Sequence, residues 1–231
     1  MKPNIDPVTF LLAASLLLGT VNVIAQTESE WEFAKGDDQV KVYYRTLPTG
    51  NVEFKGITTV NTSVRSLVSL FRDLENMPNW VYRARQVTEL KEVSNKERYM
   101  YAIHPMPFPF RDRDSVILSK IEEDPVTHEV TILGKGVPRY IPENSEYVRV
   151  EAIESFWHFH PVDDKQVRIT FQGYGEPGGS IPSSIYRSQV FRWLVEMYLW
   201  RLPYTTLSNL RTEVSKTRYQ SGSDTSTKLR Q

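Results

Sequence analysis

The chain has no cysteine, which removes disulfides and thiolate chemistry from consideration. That absence does not identify a compartment, because oxidising compartments also hold cysteine-free proteins. Charge of one sign is missing too. Lys and Arg number 28, Asp and Glu number 28, and the formal net charge is zero, so nothing general draws the chain to nucleic acid or to an acidic surface. A Gly-rich phosphate loop is lacking, since Gly134-Lys135-Gly136 is too short and runs on into Val137 and Pro138. A Gly-x-Ser-x-Gly elbow is lacking as well. Ser180 follows Gly178-Gly179 but opens a helical run, so it reads as a cap. No internal repeat is visible.

Histidine is scarce, with four in all. His158 and His160 alternate on one strand-like run ahead of Asp163 and Asp164, a set that could supply metal ligands. A half-exposed strand face beside a turn explains them more simply. His104 and His128 read as solvated loop residues. No metal and no cofactor is expected.

Aromatic residues are plentiful: twelve Tyr, ten Phe and five Trp, enough for a large core or an apolar pocket. A chain of 231 residues suits one sizeable domain. Its N-terminus carries Lys2, an uncharged apolar stretch from Val8 to Leu18, and Val23-Ile24-Ala25 at positions a signal peptidase would read. The expected organisation is a signal peptide over 1–25, a mature domain over 26–215 and a polar, disordered tail over 216–231. The protein is then periplasmic or secreted. The rival is an uncleaved anchor, because the uncharged stretch from Pro7 to Thr27 reaches the ~20 residues that span a bilayer.

Past that leader, short strand-like runs follow one another. Val40–Arg45 and Val52–Val60 alternate as paired strands across Pro48-Thr49-Gly50-Asn51. Thr62 or Ser63 caps a helix with Leu67, Leu70, Phe71 and Leu74 on one face, which Pro78 stops just before Trp80. Six more runs then follow: Gln86–Val93, Arg98–Ile103, Ser115–Ile121, Val130–Leu133, Tyr147–Phe159 and Val167–Tyr174. With no helices between them, antiparallel pairing is expected. The turn Glu176-Pro177-Gly178-Gly179-Ser180-Ile181-Pro182 launches a last helix to about Ser215. One stripe of it is Phe191, Leu194, Val195, Tyr198 and Leu202, and a second is Trp193, Met197 and Trp200. A helix apolar on two stripes must cover something on both sides. The sequence therefore predicts an α+β protein in which a long helix closes over a sheet.

A stiff strap, Pro105-Met106-Pro107-Phe108-Pro109-Phe110, precedes Arg111-Asp112-Arg113-Asp114. Arg111 reads as a partner for a polar group in a cavity, or as a brace at a strand start. Pro107-x-Pro109-x-Arg111-Asp112-Arg113-Asp114 resembles the START family of lipid-transfer domains. Gly178-Gly179-Ser180-Ile181-Pro182-Ser183, Trp80, and the tail Pro203-Tyr204-Thr205-Thr206-Leu207-Ser208-Asn209-Leu210-Arg211 match the same pattern. Together they span roughly residues 30–215, as in a bacterial secreted-type member. Ser184-Ile185 departs from the family's Trp after Ile-Pro-Ser, and Ile117 stands where some sterol-binding members carry a basic residue, so no sterol is inferred.

The resemblance implies a helix-grip fold: a curved antiparallel sheet closed by the C-terminal helix around a hydrophobic cavity. It implies a bound lipid, and a membrane surface as a transient contact. Wall candidates are Trp80, Tyr99, Tyr101, Ile117, Trp157, Phe171, Trp193 and Met197, with Arg111 as the polar partner. Trp193 and Trp200 also read as exposed anchors at a membrane interface. The expected role is binding and transport without catalysis. One alternative is a cyclase- or hydrolase-like enzyme using Tyr99, Tyr101, Arg111 or His158 as acid or base. Another is a partner-binding module that holds no ligand.

Overall fold

The computed structural model describes residues 30–176 and 196–220, excepting the side chain of Tyr198. The expected signal peptide over 1–25, residues 177–195 with Trp193, and the tail from 221 lie outside those residues.

Ten strands form one curved, open sheet. They are β1 (Glu32–Gly36), β2 (Val40–Thr46), β3 (Val52–Asn61), β4 (Gln86–Ser94) and β5 (Glu97–His104), then β6 (Arg113–Glu123), β7 (Val130–Gly136), β8 (Val148–Arg149), β9 (Ala152–Pro161) and β10 (Gln166–Glu176). The order is β1-β2-β3-β10-β9-β7-β6-β5-β4, antiparallel throughout, with β8 alone pairing in parallel with β6. The pairing of β3 with β10 joins the first three strands to the last. The segment between β3 and β4 crosses one face. It contains α1 (Val64–Arg72) and a 3-10 turn (Leu74–Asn79). Ser63 is the cap, its hydroxyl accepting from Ser66 N at 3.1 Å, and Leu67, Leu70, Phe71 and Leu74 are buried as their spacing predicts.

Alternation decides which side chains face those helices. Val40 and Val42, Phe54 and Val60, Val130 and Ile132, Trp157 and Phe159, and Val167, Ile169 and Phe171 are all buried on that one face. The register carries the same face through Ile117, Ser119 and Ile121 on β6 to Arg98, Met100 and Ala102 on β5.

The C-terminal helix is not uniform. A π-helical turn (Met197–Arg201) leads into α2 (Leu202–Val214). Pro203 has no N–H and its ring crowds the carbonyl four residues back, so a wider turn ahead of it relieves the conflict. Leu207, Leu210 and Val214 are buried on α2. Gly56 of β3 lets it settle, because a Cβ there would stand 2.6 Å from Leu207 Cδ1.

Two expectations are corrected. The run 147–159 is not one strand: β8 leaves the ladder of β9 to lie beside β6, where Val148 N donates to Asp112 O at 3.0 Å and Val150 N to Asp114 O at 2.8 Å. The polar stretch after Ser215 is packed through Gln220. There α3 (Thr217–Gln220) buries Tyr219, whose hydroxyl donates to Asp73 Oδ2 at 2.6 Å and accepts from Asn76 Nδ2 at 2.9 Å. Asn76 Nδ2 also reaches Glu213 Oε1 at 2.9 Å, and Arg218 and Lys216 pair with the same carboxylate. Burial alone would raise the Glu213 carboxyl, but bonds from Lys216, Asn76 and Arg218 outweigh it and hold it low.

Candidate functional site

Four aromatic rings meet on the helix-covered face. Trp157 and Phe171, paired across β9 and β10, stack with centroids 3.7 Å apart and planes 9° apart. Phe71 of α1 meets Trp157 edge-on at 4.8 Å. Trp80, delivered just past the 3-10 turn, lies 4.9 Å from Phe71 and 6.1 Å from Trp157. The segment carrying Trp80 is tied to α2: Tyr82 N donates to Thr206 Oγ1 at 3.1 Å and Asn209 Nδ2 to Trp80 O at 3.4 Å.

Next to this cluster the sheet loses its side chains. One register row holds Ser119, Gly134, Ser155 and Gly173, and the row beyond holds Ile117, Gly136, Ile153 and Gly175. A Cβ on Gly134 would stand 2.4 Å from Ser155 Oγ, and one on Gly136 2.8 Å from Ile153 Cγ2. Serine and glycine keep the sheet surface low along the first row, and in the row beyond Ile153 lies over Gly136. At the β4–β5 end of the first row, Arg98 pairs with Glu89 at 3.2 Å.

Of the residues singled out from sequence, Trp80, Trp157 and Phe171 form the cluster and Ile117 lies on the low rows. Met197 is buried in the π turn, which packs on β1, β2 and β3. Trp193 lies outside the described residues. Trp200 is half-buried; Lys35 sits 5.6 Å and Arg201 4.7 Å from its ring.

Three candidates are elsewhere. Tyr99 and Tyr101 alternate with Met100 and Ala102 and so point from the opposite, convex face. There Tyr99 stacks on Tyr140 at 3.8 Å, and Tyr101 OH donates to Asp114 Oδ2 at 3.0 Å. Burial first, and that bond second, push the Tyr101 hydroxyl up to about 12. Arg111 is exposed and donates to Ser145 O at 2.7 Å, which makes it the brace. A one-residue error of parity moves a side chain to the other face, and composition cannot correct it. Met100 was missed through that parity, and Ser119, Gly134 and Ser155 because small residues in a strand look like interruptions, not like the floor of a site.

Reactive pairings among the described residues are few. His104 Nε2 meets Ser115 Oγ at 2.9 Å and Nδ1 faces Arg83 O at 3.3 Å. Ser115 is 0% exposed and its hydroxyl is taken up by His104, and burial lowers the His104 pKa. The pair ties β5 to β6. His158 and His160 stand on the convex face, both bonded to Glu129; the bond from His160, above all, lowers the Glu129 pKa against its burial. No group of three or more His, Asp or Glu among the described residues is arranged to hold a metal ion.

The START domain family model matches residues 12–197. An uncharacterized protein of Pseudomonas aeruginosa is 29% identical over 209 residues, covering 89% of this chain and 96% of its own. The crystal structure of a STAR-related lipid transfer protein fragment from Xanthomonas axonopodis superposes with a TM-score of 0.69 at 28% identity, over 80% of this chain and 99% of that one. Human STARD10 superposes with a TM-score of 0.67 over 83% of this chain and 76% of its own; at 17% identity that likeness is one of fold.

Proposed function

We propose a function from one premise: this chain belongs to the START domain family. It binds one hydrophobic lipid between the concave sheet face and the C-terminal helix, and it carries that lipid without changing it. The observation that carries this reading is the side-chain-poor floor beside the Trp80, Trp157 and Phe171 rings, on the face where α1 and α2 pack. Hydrocarbon laid there leaves water at about 25 cal/mol per Å². Phe108, 92% exposed on the proline strap, supplies an apolar point for transient contact with a membrane. The apolar leader and Val23-Ile24-Ala25 support export, with cleavage after Ala25.

Native mass spectrometry of the protein from its own host, with solvent extraction, tests this. A stoichiometric lipid released unmodified is the expected result. A chemically altered ligand would make the protein an enzyme. A protein that stays empty and takes up no lipid from vesicles would end the carrier reading.

A further inference from the structure

Trp80 is 1% exposed, yet its indole Nε1–H has no hydrogen-bond partner among the described residues. Buried donors almost always have one. The rings beside it, Phe71 and Trp157, offer no acceptor oxygen. Arg72 Nε is also buried without a partner, but the same guanidinium is anchored through Nη2 to Asn95 O at 2.8 Å. The Trp80 side chain has that single polar atom and no second one to satisfy in its place.

We propose that the Trp80 indole N–H is the donor that receives an oxygen of the bound lipid. This rests on the lipid-binding reading and narrows it. Indole only donates, so the ligand must present an acceptor: a hydroxyl, carbonyl or carboxylate oxygen carried into the apolar layer beside Trp157. The Trp80 ring lies 6.1 Å from that of Trp157, whose neighbours along β9 on the same face are Ser155 and Phe159. In such surroundings a bond to the oxygen is strengthened, and a chain without oxygen leaves the donor unpaired. The site therefore selects oxygen-bearing amphiphiles over plain hydrocarbons of equal length.

The test uses the full chain, with dodecanol and dodecane as probes that displace a fluorescent apolar dye. In Trp80→Phe a smaller aromatic ring stays and the donor goes. Dodecanol binding is expected to weaken roughly tenfold more than dodecane binding, the scale of one hydrogen bond. In the wild-type protein the Trp80 indole proton resonance should move downfield with dodecanol and not with dodecane. That shift decides the matter if the variant does not fold. Equal weakening for both probes would make Trp80 a packing residue, and no weakening, or a resonance dodecanol leaves unmoved, would overturn the inference. A wild-type protein that binds neither probe overturns the lipid reading itself. One that binds both with the indole unmoved overturns only the role of Trp80.

Discussion

Arg149 grips Asp114 by two bonds, Nε to Oδ1 at 2.9 Å and Nη2 to Oδ2 at 3.0 Å, with both side chains buried on the convex side of the sheet. The same guanidinium donates to the carbonyls of Pro138, Ile141 and Pro142. One side chain thus clamps the segment between β7 and β8 onto β6, and Tyr99 and Tyr101 lie in the layer this segment joins through Tyr140 and Asp114.

Breaking that clamp from one side should cost far more than removing it. Arg149→Met leaves Asp114 buried without a counter-charge, an expected loss of about 3–5 kcal/mol in urea unfolding. Arg149→Met with Asp114→Leu should lose much less. Equal losses for the single and double variants would mean that packing, not charge pairing, holds the segment.

Tyr101 gives the clamp an alkaline limit. Its folded pKa of about 12 lies above the ordinary 10.0, so the protonated form is favoured in the folded state. Its contribution is complete below about pH 10 and is lost as pH rises toward 12. Tyrosinate absorbance should show several late-titrating tyrosines, Tyr219 among them, and Tyr101→Phe should remove one of them.

His104 sets an opposite, acidic limit. Burial lowers its pKa below 6.5, so the folded state favours neutral imidazole. Stability from this residue is present above pH 6.5 and falls as pH drops below it. The unfolding midpoint of the wild-type protein should therefore decline between pH 7 and pH 5 more than that of His104→Gln. Parallel declines would remove His104 as the cause.

The tail latch is open to the same kind of measurement. Tyr219→Phe strands the bonds that Asp73 and Asn76 make to its hydroxyl, an expected loss of about 1–2 kcal/mol in unfolding free energy. No loss would mean that the ring of Tyr219, rather than its hydroxyl, secures α3.

Face assignment can be tested through ligand loading. Ser155→Trp puts a large ring on the low rows and should abolish lipid uptake, while Tyr99→Ala, on the convex face, should leave uptake intact. If Tyr99→Ala blocks loading and Ser155→Trp does not, the ligand lies on the other side of the sheet.

Much of this was legible in the chain itself. The spacing of Leu67, Leu70, Phe71 and Leu74 set α1, the lack of helices between the strand runs set antiparallel pairing, and the apolar C-terminal run required a helix with something to cover. These are local periodicities, and local backbone geometry reads them directly. Trp80, Trp157 and Phe171 were recognisable because large aromatics have few places to go but inward.

Other features depended on partners far away in sequence. Whether Tyr101 or Met100 faces inward is settled by which strand lies beside β5, a choice that local sequence leaves open by one residue. The split of 147–159 into β8 and β9 follows from Arg149 meeting Asp114, 35 residues away. The order after Ser215 follows from Tyr219 and Glu213 meeting Asp73 and Asn76, contacts 137 to 146 residues apart. Composition marked that tail as too polar to bury itself, yet its neighbours supplied the hydrogen bonds it lacked. The sequence alone determined the elements and the apolar character of the interior. The tertiary structure decided parity, clamps and the low floor, because only long-range contacts choose among local conformations of nearly equal energy.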